Sequence, residues 1–349
     1  MKTADFTYDL PEDLIAVEPP TTRGTTRLLV LNKTNGSVQD QHYQDIADYV
    51  KPGDVIVLND TKVIPARLST VKKTNQAARE LILLEKHGVT DNWHEHKVLY
   101  RKRLSVGDVL IATDNSELRV SQILGDGIAL ITSTVDLLKL AMKTGSVPLP
   151  PYMHRDATES DTERYQTVWA RHAGSVAAPT ASLNMTDETL AAIVARGGQI
   201  VYATLHVGLG TFLPIRVTNL DKHVMHKEYF EIPAATVSAL KTAKDTNKQI
   251  FAIGTTITRT LEYAAPQILN EPARDLSGEA DIFIYPGYKF QLISSLLTNF
   301  HAPGSTVLML TAAFAGWDNL SRAYQHAIDE RYSFLSYGDS MFITGANPS

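Results

Sequence analysis

Residues 53–68, GDVIVLNDTKVIPARL, hold the point where one kind of structure gives way to another. Val55 to Leu58 is an uninterrupted apolar run, and Asn59, Asp60 and Thr61 follow it, as expected for a buried strand ending in a turn. Upstream, Leu28 to Leu31 repeats the pattern, with polar turn residues from Asn32 to Gly36. Between the two runs, Tyr43, Ile46, Ala47 and Val50 recur at helical spacing until Pro52-Gly53 stops them. The chain therefore opens as strand, helix, strand.

Downstream of Pro65 the texture changes. Short segments at Glu80–Leu84, Trp93–Tyr100, Val109–Ala112, Leu118–Ile123 and Gly127–Thr132 are separated by turn signals such as Gly107-Asp108, Asp114-Asn115 and Gly125-Asp126-Gly127. Their spacing of roughly 8–12 residues marks a sandwich or barrel, so an all-β module over about 63–135 is expected. A helix over Val135–Lys143 then leads to Pro148-Leu149-Pro150-Pro151, a stiff segment suited to a domain junction. Past Tyr152, helices alternate with strands again. Helices are expected over Thr186–Arg196 (Thr186 as N-cap, Gly197-Gly198 as stop), Thr236–Thr246, Ile257–Ala264, Thr306–Ala313 and Leu320–Arg331. Strands are expected over Gln199–Val207, Gln249–Gly254 and Asp281–Tyr285. This order predicts an α/β fold of two domains, one formed by residues 1–62 and 151–349 and interrupted by an inserted all-β, barrel-like domain over 63–150.

At 349 residues the chain exceeds the size at which a single core usually stops growing, which also favours two domains. Its 44% hydrophobic and 20% charged residues are ordinary for a globular protein. The absence of cysteine excludes disulfides, thiolate zinc sites, cysteine nucleophiles and cysteine-ligated iron–sulfur clusters. The first residues, MKTADFTYDLPEDLIA, carry acids early and lack the order of a signal peptide, and no apolar run approaches the ~20 residues of a membrane span. A soluble, cytoplasmic, monomeric protein with no membrane partner is the expectation. The net charge is −5, but residues 61–150 hold 13 Lys/Arg against 9 Asp/Glu, a local +4 that leaves −9 for the remainder. Contact with a polyanion should therefore be local.

Taken singly, the chemical motifs are weak. Gly208-Leu209-Gly210 follows a buried strand but lacks the third glycine of a dinucleotide fingerprint. His223 and His226 with Glu228 make an incomplete metal triad, so no metal site is assigned. Ser175 has no G-x-S-x-G elbow around it. Lys72-Lys73 and Arg101-Lys102-Arg103 sit in the basic β module, where one exposed face could track phosphates.

In one collinear order, however, several segments carry a resemblance. They are YDLPEDLIA, RLLVL, GDVIVLNDTKVIPARL, PLPPYMHR, ERYQTVWA with GSVAAPTASL, TLHVGLGTFLPIR, HVMHKE, GTT with RTLE, DIFIYPGYKF, LLTNFHAPGST with LMLTAAFAG, and SYGDSM. Along nearly its whole length the chain resembles the S-adenosylmethionine:tRNA ribosyltransferase-isomerases of queuosine biosynthesis. It departs from the family pattern GSVAAPTAGLHFT at Ser182, Asn184 and Met185, and elsewhere at Lys62, Ile257-Thr258, Ser294 and Ala302.

The resemblance implies a barrel-like α/β catalytic domain and a reaction in which the ribosyl part of S-adenosylmethionine is transferred and isomerised onto 7-aminomethyl-7-deazaguanine at the tRNA wobble position. Epoxyqueuosine-tRNA, adenine and methionine would result. S-adenosylmethionine is then a co-substrate, no further cofactor is needed, and the partner is tRNA carrying the queuosine precursor base. Such chemistry needs a base beside the sulfonium, help for departing adenine and an unprotonated amine. His206, His226 and His301 are the candidate acids or bases, and Asp60, Glu228 and Asp339 the candidate carboxylates for the sulfonium. Tyr285 and Tyr288 are candidate aromatic walls. Backbone and hydroxyl donors at Gly174-Ser175, Gly208, Gly210, Thr211, Thr255 and Thr256 suit a ribose or a methionine carboxylate, with Arg259 as a fork for the latter. Asn59, Tyr165 and Asn299 join them as candidate substrate contacts, and Arg67 as a contact to tRNA or a tie between domains. Lys72, Lys73, Arg101, Lys102 and Arg103 are the candidate RNA contacts.

Overall fold

The computed structural model describes residues 1–87, 92–208, 210, 215 and 217–345. The chain begins with β1 (Arg27–Asn32), β2 (Val38–His42), β3 (Val55–Asn59) and β4 (Thr61–Val63). Within this opening the helical spacing at 43–50 forms a 3-10 helix, Tyr43–Tyr49, rather than an α-helix. Only a short connection separates β2 from β3, and Pro52-Gly53 closes it immediately.

Six strands follow: β5 (Arg67–Lys72), β6 (Ala78–Leu83), β7 (Glu95–Tyr100), β8 (Val109–Ala112), β9 (Glu117–Gly125) and β10 (Ile128–Ser133). They close into an antiparallel barrel in the order β10, β7, β6, β5, β8, β9. The period-two pattern explains the closure. Leu68, Leu81, Leu83, Val98, Leu110, Leu118, Val120, Ala129 and Ile131 turn inward and fill the interior, while most of their neighbours are more exposed. Next, α1 (Leu137–Thr144), capped by Asp136 Oδ1 accepting from Lys139 N at 2.9 Å, packs Leu137, Leu140 and Ala141 into the same core.

The remaining elements are α2 (Glu159–Arg164), β11 (His172–Ser175), α3 (Asp187–Ala195), β12 (Gln199–Leu205), β13 (Glu228–Ile232), α4 (Ala234–Asp245), β14 (Ile250–Ile253), α5 (Thr255–Asn270), β15 (Leu276–Ala280), β16 (Ser295–Asn299), α6 (Thr306–Ala315), α7 (Trp317–Asp329) and β17 (Ser340–Thr344). With β1–β3 they build a nine-stranded sheet in the order β15, β13, β12, β3, β14, β16, β17, β1, β2. β11 pairs with β4 in a separate two-stranded sheet. Strands β12, β3, β14 and β16 are mutually parallel. Their runs are apolar because both faces are covered. Val55, Val57, Ile250 and Ala252 meet α4–α7 on one side, while Ile56, Leu58, Phe251 and Ile253 meet the 3-10 helix and α3 on the other.

The strand expected at Asp281–Tyr285 is absent, and the sheet uses Leu276–Ala280 instead. Its partner β13 begins at Glu228, opposite Ala280, so residues beyond Ala280 have no strand to pair with. Nor does Pro266 limit the helix expected to finish at Ala264: α5 runs through it to Asn270.

Candidate active site

Strands β12, β3, β14 and β16 end on one side of the sheet, where the chain turns at His206, Asp60, Gly254 and Phe300. Open α/β sheets bind ligands at such carboxyl ends. A cavity of about 260 Å³ lies there, walled by Val207, Gly254, Thr255, Thr256, Thr298, Asn299 and His301 together with Pro151, Tyr152, Thr180, Ser305 and Ser336. Two helices direct their amino ends at it: α5 starts with Thr255 and Thr256, and α6 is capped by Ser305, whose Oγ accepts from Leu308 N at 3.2 Å. Unpaired N–H groups at helix starts favour an anionic ligand group.

Two asparagines hold the floor. The Asn59 Oδ1 accepts from Thr61 N at 3.0 Å and Leu205 N at 3.1 Å, and its Nδ2 donates to Leu205 O at 3.1 Å and Thr256 Oγ1 at 3.4 Å. One buried side chain thus ties the ends of β3 and β12 to the start of α5. In the same way, Asn299 accepts from Thr180 Oγ1 at 2.8 Å and donates to the Asp339 carbonyl at 3.4 Å.

Of the six candidate catalytic residues, His301 is the one in the cavity wall. Thr298 Oγ1 lies 2.6 Å from its Nε2, its N–H donates to Tyr324 Oη at 3.0 Å with that hydroxyl as acceptor, and its carbonyl accepts from Tyr8 Oη at 2.5 Å. Desolvation pushes its pKa down to about 3, so the imidazole is neutral at ordinary pH.

The other candidates lie around the cavity. Asp60 accepts from Thr204 Oγ1 at 2.6 Å, with its second oxygen 3.5 Å from His172 Nε2. His206 Nδ1 lies 2.8 Å from Thr61 Oγ1, and its ring stacks on Tyr229 at 6.2 Å. Gly174 has to be glycine because a Cβ there would come within 2.9 Å of His206 Cε1 and Nε2. Ser175 is structural in geometry: its Oγ donates to Ala177 O at 2.7 Å and accepts from Val207 N at 2.8 Å. Glu228 and Arg259 meet each other at 2.5 Å, both buried, and Gly208 N donates to the second Glu228 oxygen at 3.0 Å. The Asp339 carboxylate is taken up by Arg27 N and Ser333 N, each at 2.7 Å; burial nevertheless raises its pKa above the usual carboxylate value.

Tyr165 is fully buried and edge-on to Tyr337 at 5.9 Å, away from the cavity wall. Tyr288 Oη donates to Glu262 at 3.2 Å, and Tyr285 packs on Phe283. Gly210 lies against the His226 ring, and Thr211 falls outside the described residues. Among the described residues no group of three or more His, Asp or Glu side chains is placed to hold a metal ion. On the barrel, Arg67 pairs with Glu80 at 3.1 Å, Lys72 with Asp108 at 2.6 Å and Lys73 with Glu117 at 2.5 Å, whereas Arg101, Lys102 and Arg103 are exposed.

Tyr152, Thr180, Thr298, Ser305 and Ser336 also line the cavity and were not singled out from sequence, although each lies within a segment that carries the resemblance. The departures at 182–185 sit behind the wall: Asn184 Nδ2 donates to Gly338 O at 3.3 Å, and Met185 and Ser182 are fully buried. Ala302, another departure, does line the cavity.

Residues 3–343 match the family model described as queuosine biosynthesis protein. The S-adenosylmethionine:tRNA ribosyltransferase-isomerase of Chlorobaculum parvum is 53% identical over 346 residues, covering 99% of this chain and 100% of that protein. The protein of the same name from Sulfurihydrogenibium is 43% identical over 343 residues, covering 98% of this chain and 100% of that one. A crystal structure of the S-adenosylmethionine tRNA ribosyltransferase of Thermotoga maritima superposes with a TM-score of 0.56 at 31% identity, covering 97% of this chain and 99% of that one. A match along so nearly the whole chain places this protein in the queuosine biosynthesis protein family.

Proposed function

We propose that this protein is an S-adenosylmethionine:tRNA ribosyltransferase-isomerase, transferring and isomerising the ribosyl part of S-adenosylmethionine onto 7-aminomethyl-7-deazaguanine at the tRNA wobble position. Epoxyqueuosine-tRNA forms; adenine and methionine leave. The observation that carries the reading, beside full-length family membership, is the cavity at the carboxyl ends of β12, β3, β14 and β16, with a neutral imidazole and two helix starts in its wall. The methionine carboxylate sits at the starts of α5 and α6, beside Thr255, Thr256 and Ser305. His301 is the acid or base of the cavity wall, beside the CH2 that the sulfonium's fixed positive charge already acidifies. Asn59 and Asn299 hold the wall in place, while Glu228 and Arg259 neutralise each other and Glu228 anchors Gly208 N.

Residues 63–150 form the inserted barrel domain in this reading, and residues 1–62 with 151–349 the catalytic domain. The exposed Arg101, Lys102 and Arg103 meet tRNA phosphates while the wobble base is splayed into the cavity. The test is turnover by the purified protein with S-adenosylmethionine and tRNA carrying the aminomethyl deazaguanine. Release of adenine together with the modified nucleoside, both read by mass spectrometry, is expected. A folded protein that releases neither, beside an active relative, refutes the assignment.

A further inference from the structure

Between the barrel and the edge of the nine-stranded sheet lies a group of charged side chains that the proposed reaction does not use. Glu85 follows β6 of the barrel and is almost buried; Glu279 lies on β15, the edge strand of the sheet. His87 stands between them, with Nε2 3.2 Å from Glu85 Oε1 and Nδ1 3.3 Å from Glu279 Oε1. A neutral imidazole carries one N–H and one lone pair, so one of these carboxylates would face a lone pair. Only the imidazolium, with two N–H groups, satisfies both.

The contact reaches the cavity through Glu85. Its carboxylate presses on Gly208, where a Cβ would come within 2.5 Å of Oε1. Gly208 donates to Glu228, and its neighbour Val207 is part of the cavity wall. We propose that His87, as an imidazolium bridging Glu85 and Glu279, is a positioning residue that holds the barrel against Gly208 and so fixes one wall of the site. The inference rests on the catalytic reading of that cavity.

Other charged groups here modulate the bridge. Lys97 on β7 and the neighbouring His96 oppose the charge on His87, and Lys227 lies 3.9 Å from the second oxygen of Glu279. The balance favours the charged ring: the close contact with the Glu85 carboxylate outweighs desolvation and holds the His87 pKa above its ordinary value. With a raised folded pKa, the bridge is complete below the unfolded value of about 6.5 and is lost as pH rises through the folded one.

The experiment follows the His87 ring by NMR in the full-length protein, assigned by comparison with His87→Gln, and measures kcat/KM of wild type, His87→Gln and His87→Lys against pH. A His87 midpoint above 6.5 is expected. On the acid side His87→Gln should lose roughly fivefold in kcat/KM, the scale of a partly buried charged hydrogen bond discounted for solvent, and the deficit should vanish as pH rises through that midpoint. The fixed charge of His87→Lys should keep part of the acid-side rate and carry it to higher pH. A midpoint at or below 6.5, or a deficit independent of pH, overturns the proposal. If the midpoint is raised but no variant and no wild type turns over tRNA, the catalytic reading fails, and the positioning role with it, while the bridge itself remains visible in the titration.

Discussion

His301 is the residue whose environment says most about the chemistry. Desolvation depresses its pKa to about 3, against about 6.5 in an unfolded chain. Below 6.5 the unfolded state takes up a proton that the folded state refuses, so this group's contribution to stability is complete above 6.5 and is lost as pH falls toward 3. The loss should approach 1.4 kcal/mol per pH unit at its steepest. Replacing His301 by Gln is expected to flatten that acid limb in urea melts taken between pH 6.5 and 4 and to abolish turnover at neutral pH. An unchanged acid limb would mean that the ring is not kept neutral by burial. Residue type alone could nominate His301 along with two other histidines and three acids. What separates them is place: His301 lines the cavity, whereas Asp339 is held by two backbone amides, Glu228 by Arg259 and Asp60 by Thr204, and none of this is visible along the chain.

At the scale of elements, periodicity was informative wherever one face met a core. The barrel strands β6–β10, with β3, β12, β14 and the helices α3–α7, fall where alternation or helical spacing puts them, whereas β5, Arg67–Lys72, was not anticipated. The strands β16 and β17 were not anticipated: fully buried on both faces, they show continuous runs that resemble pieces of helix. Asp281–Tyr285 failed for the converse reason, since apolar residues there lack a neighbouring strand. The connection after β7 allows a sharper expectation. Arg101, Lys102 and Arg103 are exposed, whereas Lys72 and Lys73 are already paired with Asp108 and Glu117. Changing the first three to Ser should weaken tRNA binding and make its salt dependence shallower by about 2–3 in the log–log slope. Changing Lys72 and Lys73 should have a smaller effect. Equal effects, or none, in filter binding across a salt series would remove the 101–103 turn from the RNA surface.

At the scale of the whole molecule, a nine-stranded sheet and a closed barrel meet beside the cavity, and the Glu85 carboxylate beside the barrel rests on Gly208, next to the cavity wall. An all-β module distinct from the α/β elements was legible from the change of texture at Pro65; the seam was not, because Glu85, His87, Gly208 and Glu279 are far apart in sequence and ordinary in type. The most direct test of the account is a crystal structure of this protein with a stable aza analogue of S-adenosylmethionine. The account places the analogue in the cavity, its carboxylate at the starts of α5 and α6 and its sulfonium-mimicking centre beside His301. Density for the analogue elsewhere, such as on the far face of the sheet or inside the barrel, would contradict it.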